Sequence, residues 1–99
     1  MTINTKQEGT QLTISLEGRL DTVTAPELED VIKEKLHGVT ELIMDLKDIA
    51  YVSSAGLRVL LSAQKVMNRQ GSMVIRNANE DVMEIFDVTG FVDILNIES

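Results

Sequence analysis

Glu41-Leu42-Ile43-Met44-Asp45-Leu46, followed after a short polar interval by Ser53-Ser54-Ala55-Gly56-Leu57-Arg58-Val59-Leu60-Leu61, decides the fold of this chain. The first stretch is a near-continuous apolar run, which suits a strand covered on both faces in a partly parallel sheet. The second is a helix onset: two serines, then apolar residues at helical spacing. Leu57, Leu60, Leu61 and Met67 form one stripe, which Val59, Ala63 and Val66 widen. The pattern predicts a helix from about Ser54 to Arg69, stopped by Gly71, with Lys47 to Ser53 as the connecting loop. A serine at a helix start has two readings. It caps the first turn, or it holds a phosphate, because unpaired N–H groups and the positive end of the helix dipole surround it. The local sequence leaves both readings open for Ser53 and Ser54.

Upstream, Thr2 to Lys6 suits a short edge strand, and Glu8-Gly9-Thr10 suits a hairpin turn. Leu12, Ile14 and Leu16 alternate with Thr13, Ser15 and Glu17, the signature of a half-buried strand. Thr24-Ala25-Pro26-Glu27 matches a capping box with proline tolerated in the first turn. Leu28, Val31, Ile32 and Leu36 then share one helical face, and Gly38 stops it. Downstream, Met73-Val74-Ile75 reads as another buried strand. Asn79 caps a third helix whose Val82, Ile85 and Phe86 face inward and which Gly90 ends; Val92 to Ile97 reads as a last short strand or an irregular end. Strands alternating with helices predict an α/β fold: one small mixed β-sheet with right-handed crossovers and helices packed mainly on one face.

Composition narrows the function. Ninety-nine residues fit one domain spanning 1–99. Without cysteine there are no disulfides, thiolate nucleophiles or cysteine zinc sites. The N-terminus carries no apolar run of signal-peptide type, and no stretch approaches the ~20 apolar residues of a membrane span. The expected setting is the cytoplasm, with no membrane insertion. Nine Lys+Arg against 16 Asp+Glu give a net charge of −7, which argues against nucleic acid as a partner. Tyr51, Phe86 and Phe91 are the aromatics, too few for a base-stacking platform.

Catalytic signals are sparse. His37 is the lone histidine and stands at a helix end, where a charge complements the dipole. There is no phosphate-binding Gly-Lys-Ser/Thr loop, no Gly-x-Ser-x-Gly elbow and no metal-ligand cluster, so no enzyme activity and no cofactor are expected. Glu27, Glu29, Asp30 and Glu34 read as a solvated helix face, and Met44, Met67, Met73 and Met83 as core filling. Asp21, in Gly18-Arg19-Leu20-Asp21, sits on a loop at a sheet end, where function often resides. A turn or capping role for it is equally open.

Gly18-Arg19-Leu20-Asp21, Ser53-Ser54-Ala55-Gly56-Leu57 after its strand, and Phe86-Asp87-Val88-Thr89-Gly90-Phe91 occur in an order and spacing that resemble the STAS domain, in particular bacterial anti-anti-sigma factors (anti-sigma factor antagonists). The resemblance spans nearly the whole chain, and the Ser-Ser-Ala-Gly-Leu segment is its most specific part. It implies partner switching. The unphosphorylated protein binds an anti-sigma factor that is also a serine kinase and so releases a sigma factor; phosphorylation breaks the complex and a phosphatase restores it. The family's acceptor serine lies two residues before the motif glycine, which is Ser54 here, with Ser53 as a second possible acceptor. Ser53 stands where the family often carries aspartate. The partner surface implied comprises Asp21, Ser53, Ser54, Ala55, Gly56 and Leu57. The alternative is a STAS subunit with a permanent scaffold role, for example in a lipid-transport ABC complex.

Overall fold

The central strand is twice as long as its apolar run. In the computed structural model, which describes residues 1–98, β3 runs Glu41–Val52 beside β2, Gln11–Leu20. The predicted loop from Lys47 is therefore strand up to Val52, and only Ser53 separates it from the helix α2, Ser54–Gln70. The pairing explains why the alternation test missed this half. Register shifts fall between Ser15 and Glu17 and between Gly18 and Arg19, and each inserts one extra residue into β3. Inward positions after Leu46 thus recur every third residue, at Ile49 and Val52, both buried. A bulge breaks the period of two while keeping the strand paired.

The sheet order is β1-β2-β3-β4, with β1 at Thr2–Glu8 and β4 at Ser72–Arg76. β1 runs antiparallel to β2, while β2, β3 and β4 are parallel. The parallel strands advance in one direction across the sheet. Crossovers of one hand therefore place their helices on one face. These are α1, Ala25–Lys35, and α2. α3, Glu80–Val88, adds Val82 and Phe86 to the same core. Leu12, Leu42 and Met73 lie side by side in register, as do Ile14, Met44 and Ile75, and all six are buried on the helix-covered face. The opposite face carries the neighbouring rows Thr13, Ile43, Val74 and Ser15, Asp45, Arg76.

Three further expectations change. The first is the capping box: the Thr24 side chain makes no cap bond, because its hydroxyl is engaged elsewhere in the loop. The second is narrowed: of the short strand or irregular end expected for Val92 to Ile97, the structure has the irregular end, with a 3-10 turn at Phe91–Asp93 and a single parallel bridge from Ile97 to Ile75. The third is Val66, exposed rather than part of the buried stripe of α2. Gln64 is buried instead, with its amide oxygen accepting from the Asn96 N–H at 3.4 Å and its amide nitrogen donating to Asn68 at 2.9 Å.

Candidate functional site at the carboxyl end of the sheet

Because β2 and β3 are parallel, the segments that follow them meet at one end of the sheet. Leu20 pairs with Val52, and the Ser53 N–H donates to the Leu20 carbonyl at 2.8 Å. Asp21 follows Leu20 directly on one side, and Ser54 follows Ser53 on the other. The expectation that these two share a sheet end is met.

The two serines have different jobs. Ser53 is extended, with φ −89° and ψ 175°, and its Oγ accepts from the Gly56 N–H at 3.3 Å. It is the N-cap of α2. Ser54 is the first residue of the helix and is exposed. An N-cap oxygen removes one of the unpaired amides of the first turn; a solvent-facing hydroxyl one residue on leaves the rest of that turn open to an anion. We predict that Ser53→Ala lowers stability by ~1 kcal/mol while Ser54→Ala stays within ~0.5 kcal/mol of wild type. Urea unfolding of the two variants checks this; equal losses would mean the cap has been assigned to the wrong residue.

Gly56 sets how close the edge can come. A Cβ built there would lie 2.7 Å from Leu20 Cγ and 2.9 Å from the Leu20 carbonyl oxygen. The absence of a side chain thus lets α2 sit directly on the end of β2, fixing Ser54 beside the Asp21 loop. Leu57 is buried beneath it and Ala55 is half-buried, so of the five motif residues Ser54 is the one most open to solvent.

Asp21 organises its own loop. Its Oδ1 accepts from the Val23 N–H at 3.0 Å and the Thr24 N–H at 3.1 Å, and lies 3.1 Å from the Thr24 hydroxyl. That hydroxyl donates to the Arg19 carbonyl at 2.7 Å and accepts from the Asp21 N–H at 2.9 Å. This is why the capping box fails: the Thr24 hydroxyl is consumed by the loop, the Asp21 carboxylate takes the Thr24 N–H that Glu27 would have bonded, and the Glu27 N–H is left to the Thr24 carbonyl at 3.0 Å. The Thr24 amide first, then the other donors and the Arg19 guanidinium, hold the Asp21 carboxyl below its ordinary 3.8. A carboxyl depressed in the folded state stabilises the fold above its unfolded pKa, and that contribution fades as pH falls through the folded value. Asp21→Asn keeps an oxygen acceptor and removes the charge. Its thermal stability is expected to be lower near neutrality and to converge on wild type as pH drops below about 4. Parallel melting curves from neutrality to acid would contradict this.

Sequence reasoning overlooked Arg19 and Tyr51. They are register partners, with the Arg19 guanidinium 4.6 Å from the centre of the Tyr51 ring and its Nε 4.0 Å from Asp21 Oδ2. Arg19 belongs to the Gly18-Arg19-Leu20-Asp21 segment, but its partner Tyr51 lies where the sequence predicts a loop. Val23, 81% exposed at the tip of the Asp21 loop, adds an apolar contact point to this end.

No group of His, Cys, Asp and Glu able to hold a metal occurs among the described residues, and no helix there is long and apolar enough to cross a membrane. The arrangement is thus a surface: an exposed hydroxyl on a helix N-terminus, a fixed carboxylate, a stacked guanidinium and an exposed valine.

The model of the STAS domain matches residues 2–99. This chain belongs to the STAS domain family. The anti-sigma-B factor antagonist of Bacillus subtilis is 30% identical over 98 residues, covering 98% of this chain and 90% of the relative. An anti-sigma factor antagonist from Mycobacterium paratuberculosis superposes with a TM-score of 0.87 at 21% identity, covering 97% of this chain and 83% of that one. The antagonist SpoIIAA in its unphosphorylated form gives a TM-score of 0.84 at 17% identity over 99% and 89% of the two chains. The phosphorylated form of the Bacillus SpoIIAA gives 0.76 at 16% over 99% and 92%. These structural likenesses establish the STAS fold seen above, and the relatives are anti-sigma factor antagonists.

Proposed function

We propose that this STAS domain is an anti-sigma factor antagonist whose binding is switched by phosphorylation of Ser54. In its unphosphorylated form it binds a cognate anti-sigma factor that is also a serine kinase, and the sigma factor is freed. The kinase transfers phosphate from ATP to the Ser54 hydroxyl, the complex dissociates, and a phosphatase resets the cycle. The observation that carries this reading is the division of labour at the sheet end: Ser53 is spent on the cap, while Ser54 stands exposed on the helix N-terminus. The name of the Bacillus subtilis relative and the existence of SpoIIAA in a phosphorylated form support it.

The rest of the surface has roles that fit this reading. Asp21, fixed by its loop, offers a charge to a basic group of the kinase, and Ser53, Ala55, Gly56 and Leu57 shape the helix start that the kinase grips. Ser53 stands where the family often carries aspartate, and here its Oγ caps the helix by accepting from the Gly56 N–H. Incubation with the cognate kinase and ATP, followed by mass spectrometry, tests the assignment. A single phosphate on Ser54 is expected; modification confined to Ser53, or none, would remove the switch.

A further inference from the structure

Away from the Ser54 edge, α3 and the C-terminal segment leave an open trough of mixed polar and apolar lining. One part, of about 500 Å³, is lined by Ala78, Met83, Val92, Leu95 and Ile97 with Asn77, Asn96 and Glu98 at its margins. A second, of about 380 Å³, shares Met83 and Val92 and is bordered by Glu80, Glu84 and Asp87. The two adjoin at the shared Met83 and Val92. Val88 and Ile94 nearby are 75% and 50% exposed.

The bordering charges are of one sign. Glu80, Glu84 and Asp87 follow the i, i+4, i+7 spacing of one helix face, and α3 contains no basic residue. Like charges at that spacing destabilise a helix. On α1, by contrast, Glu29 is answered four residues later by Lys33 at 3.0 Å. At the other margin Arg76 is already engaged by Glu98 at 3.1 Å. Among the described residues the carboxylates Glu80, Glu84 and Asp87 have no ion-pair partner within the domain.

We propose that this trough docks a cationic, amphipathic segment of a partner protein, with apolar side chains against Met83 and Val92 and Lys or Arg against Glu80, Glu84 and Asp87. The acid border repels nucleic acid, anionic lipid and, at a net charge of −7, a second copy of this chain. The unbranched thioether of Met83 adapts to varied apolar partners. The surface is independent of the Ser54 switch and stands whether or not that reading holds.

The probe is a synthetic helical peptide of alternating Lys and Leu faces, titrated into isotope-labelled protein at low salt and followed by amide chemical shifts. Shifts should concentrate at Met83, Glu84, Asp87 and Val92, and Glu84→Lys/Asp87→Lys should weaken binding by at least tenfold. The control Glu27→Lys/Glu34→Lys, which changes net charge equally on α1, should retain binding within about threefold. Val92→Asp, at a partly exposed position, should also weaken it. Equal loss in both charge-reversal pairs, equal binding of an all-lysine peptide, or shifts at the trough that depend on protein concentration without peptide would each overturn the proposal.

Discussion

Phosphorylation of Ser54 is expected to weaken the complex with the anti-sigma kinase by roughly a hundred- to several thousandfold and to leave the fold intact. The two halves of that expectation have separate causes. In the free domain the phosphate, with about −1.5 to −2 charges at pH 7, sits on the first turn of α2, where unpaired amides and the dipole favour an anion. Ser53 already supplies the cap through the Gly56 N–H, so the modification takes nothing from the helix. In the complex proposed above, the same group would be stripped of water at the kinase interface. An uncompensated charge in such a place costs ~3–5 kcal/mol, and every 1.4 kcal/mol is a factor of ten. Ser54→Asp carries less charge and fewer acceptor oxygens, so a loss of ~1–3 kcal/mol is expected. Ser54→Ala should bind like wild type and resist switching. Calorimetry on the three forms checks the series; equal affinity of phosphorylated and unphosphorylated protein would refute the electrostatic switch, and unfolding on phosphorylation would make Ser54 a structural residue.

Gly71→Ala is expected to cost ~3 kcal/mol or more, the largest single-methyl effect in the domain. The reason is contact with neighbouring backbone. A Cβ there would lie 1.9 Å from the Thr40 carbonyl oxygen and 2.6 Å from its carbon. Those atoms are backbone, and they are pinned. The Ser72 N–H donates to the Thr40 carbonyl at 2.9 Å, opening the β3–β4 pairing, while the Thr40 N–H donates to the Thr10 carbonyl at 2.9 Å. Neither side can yield without loosening the sheet where β2, β3 and β4 begin, and overpacking of a fixed site costs more than the usual 1–3 kcal/mol. Because the clash lies at the end opposite Ser54, the folded fraction should still bind the kinase normally. Urea unfolding measures the loss; a change below ~1 kcal/mol would show that the α2–β4 turn is far softer than its hydrogen bonds imply.

How much of this was legible beforehand depended on period. Leu12, Ile14 and Leu16 alternate strictly, and the helical faces of α1, α2 and α3 repeat at helical spacing, so element type and order follow from the residues. Leu46, Ile49 and Val52 repeat at three because two bulges shift the register; no pattern test for a regular strand responds to that. The Thr24-Ala25-Pro26-Glu27 capping box has the right letters, but Asp21 stands three residues upstream and claims the Thr24 N–H, while the Thr24 hydroxyl is turned to the Arg19 carbonyl. At the site, the spacing of Ser54 to Gly56 pointed to the acceptor through resemblance, whereas the separation of cap from acceptor needed the Ser53–Gly56 bond. Arg19 over Tyr51 is a cross-strand contact and was invisible while Tyr51 was assigned to a loop.

The central claim is antagonism itself, and reconstitution tests it most directly. The purified domain is added to a preformed complex of its cognate anti-sigma kinase with the sigma factor, and free sigma factor is measured with and without ATP. Without ATP, wild type and Ser54→Ala should both release sigma factor; with ATP, wild type should lose its hold and sigma factor should be recaptured, while Ser54→Ala keeps it free. Sigma factor that stays bound in the presence of excess unphosphorylated domain would contradict the account.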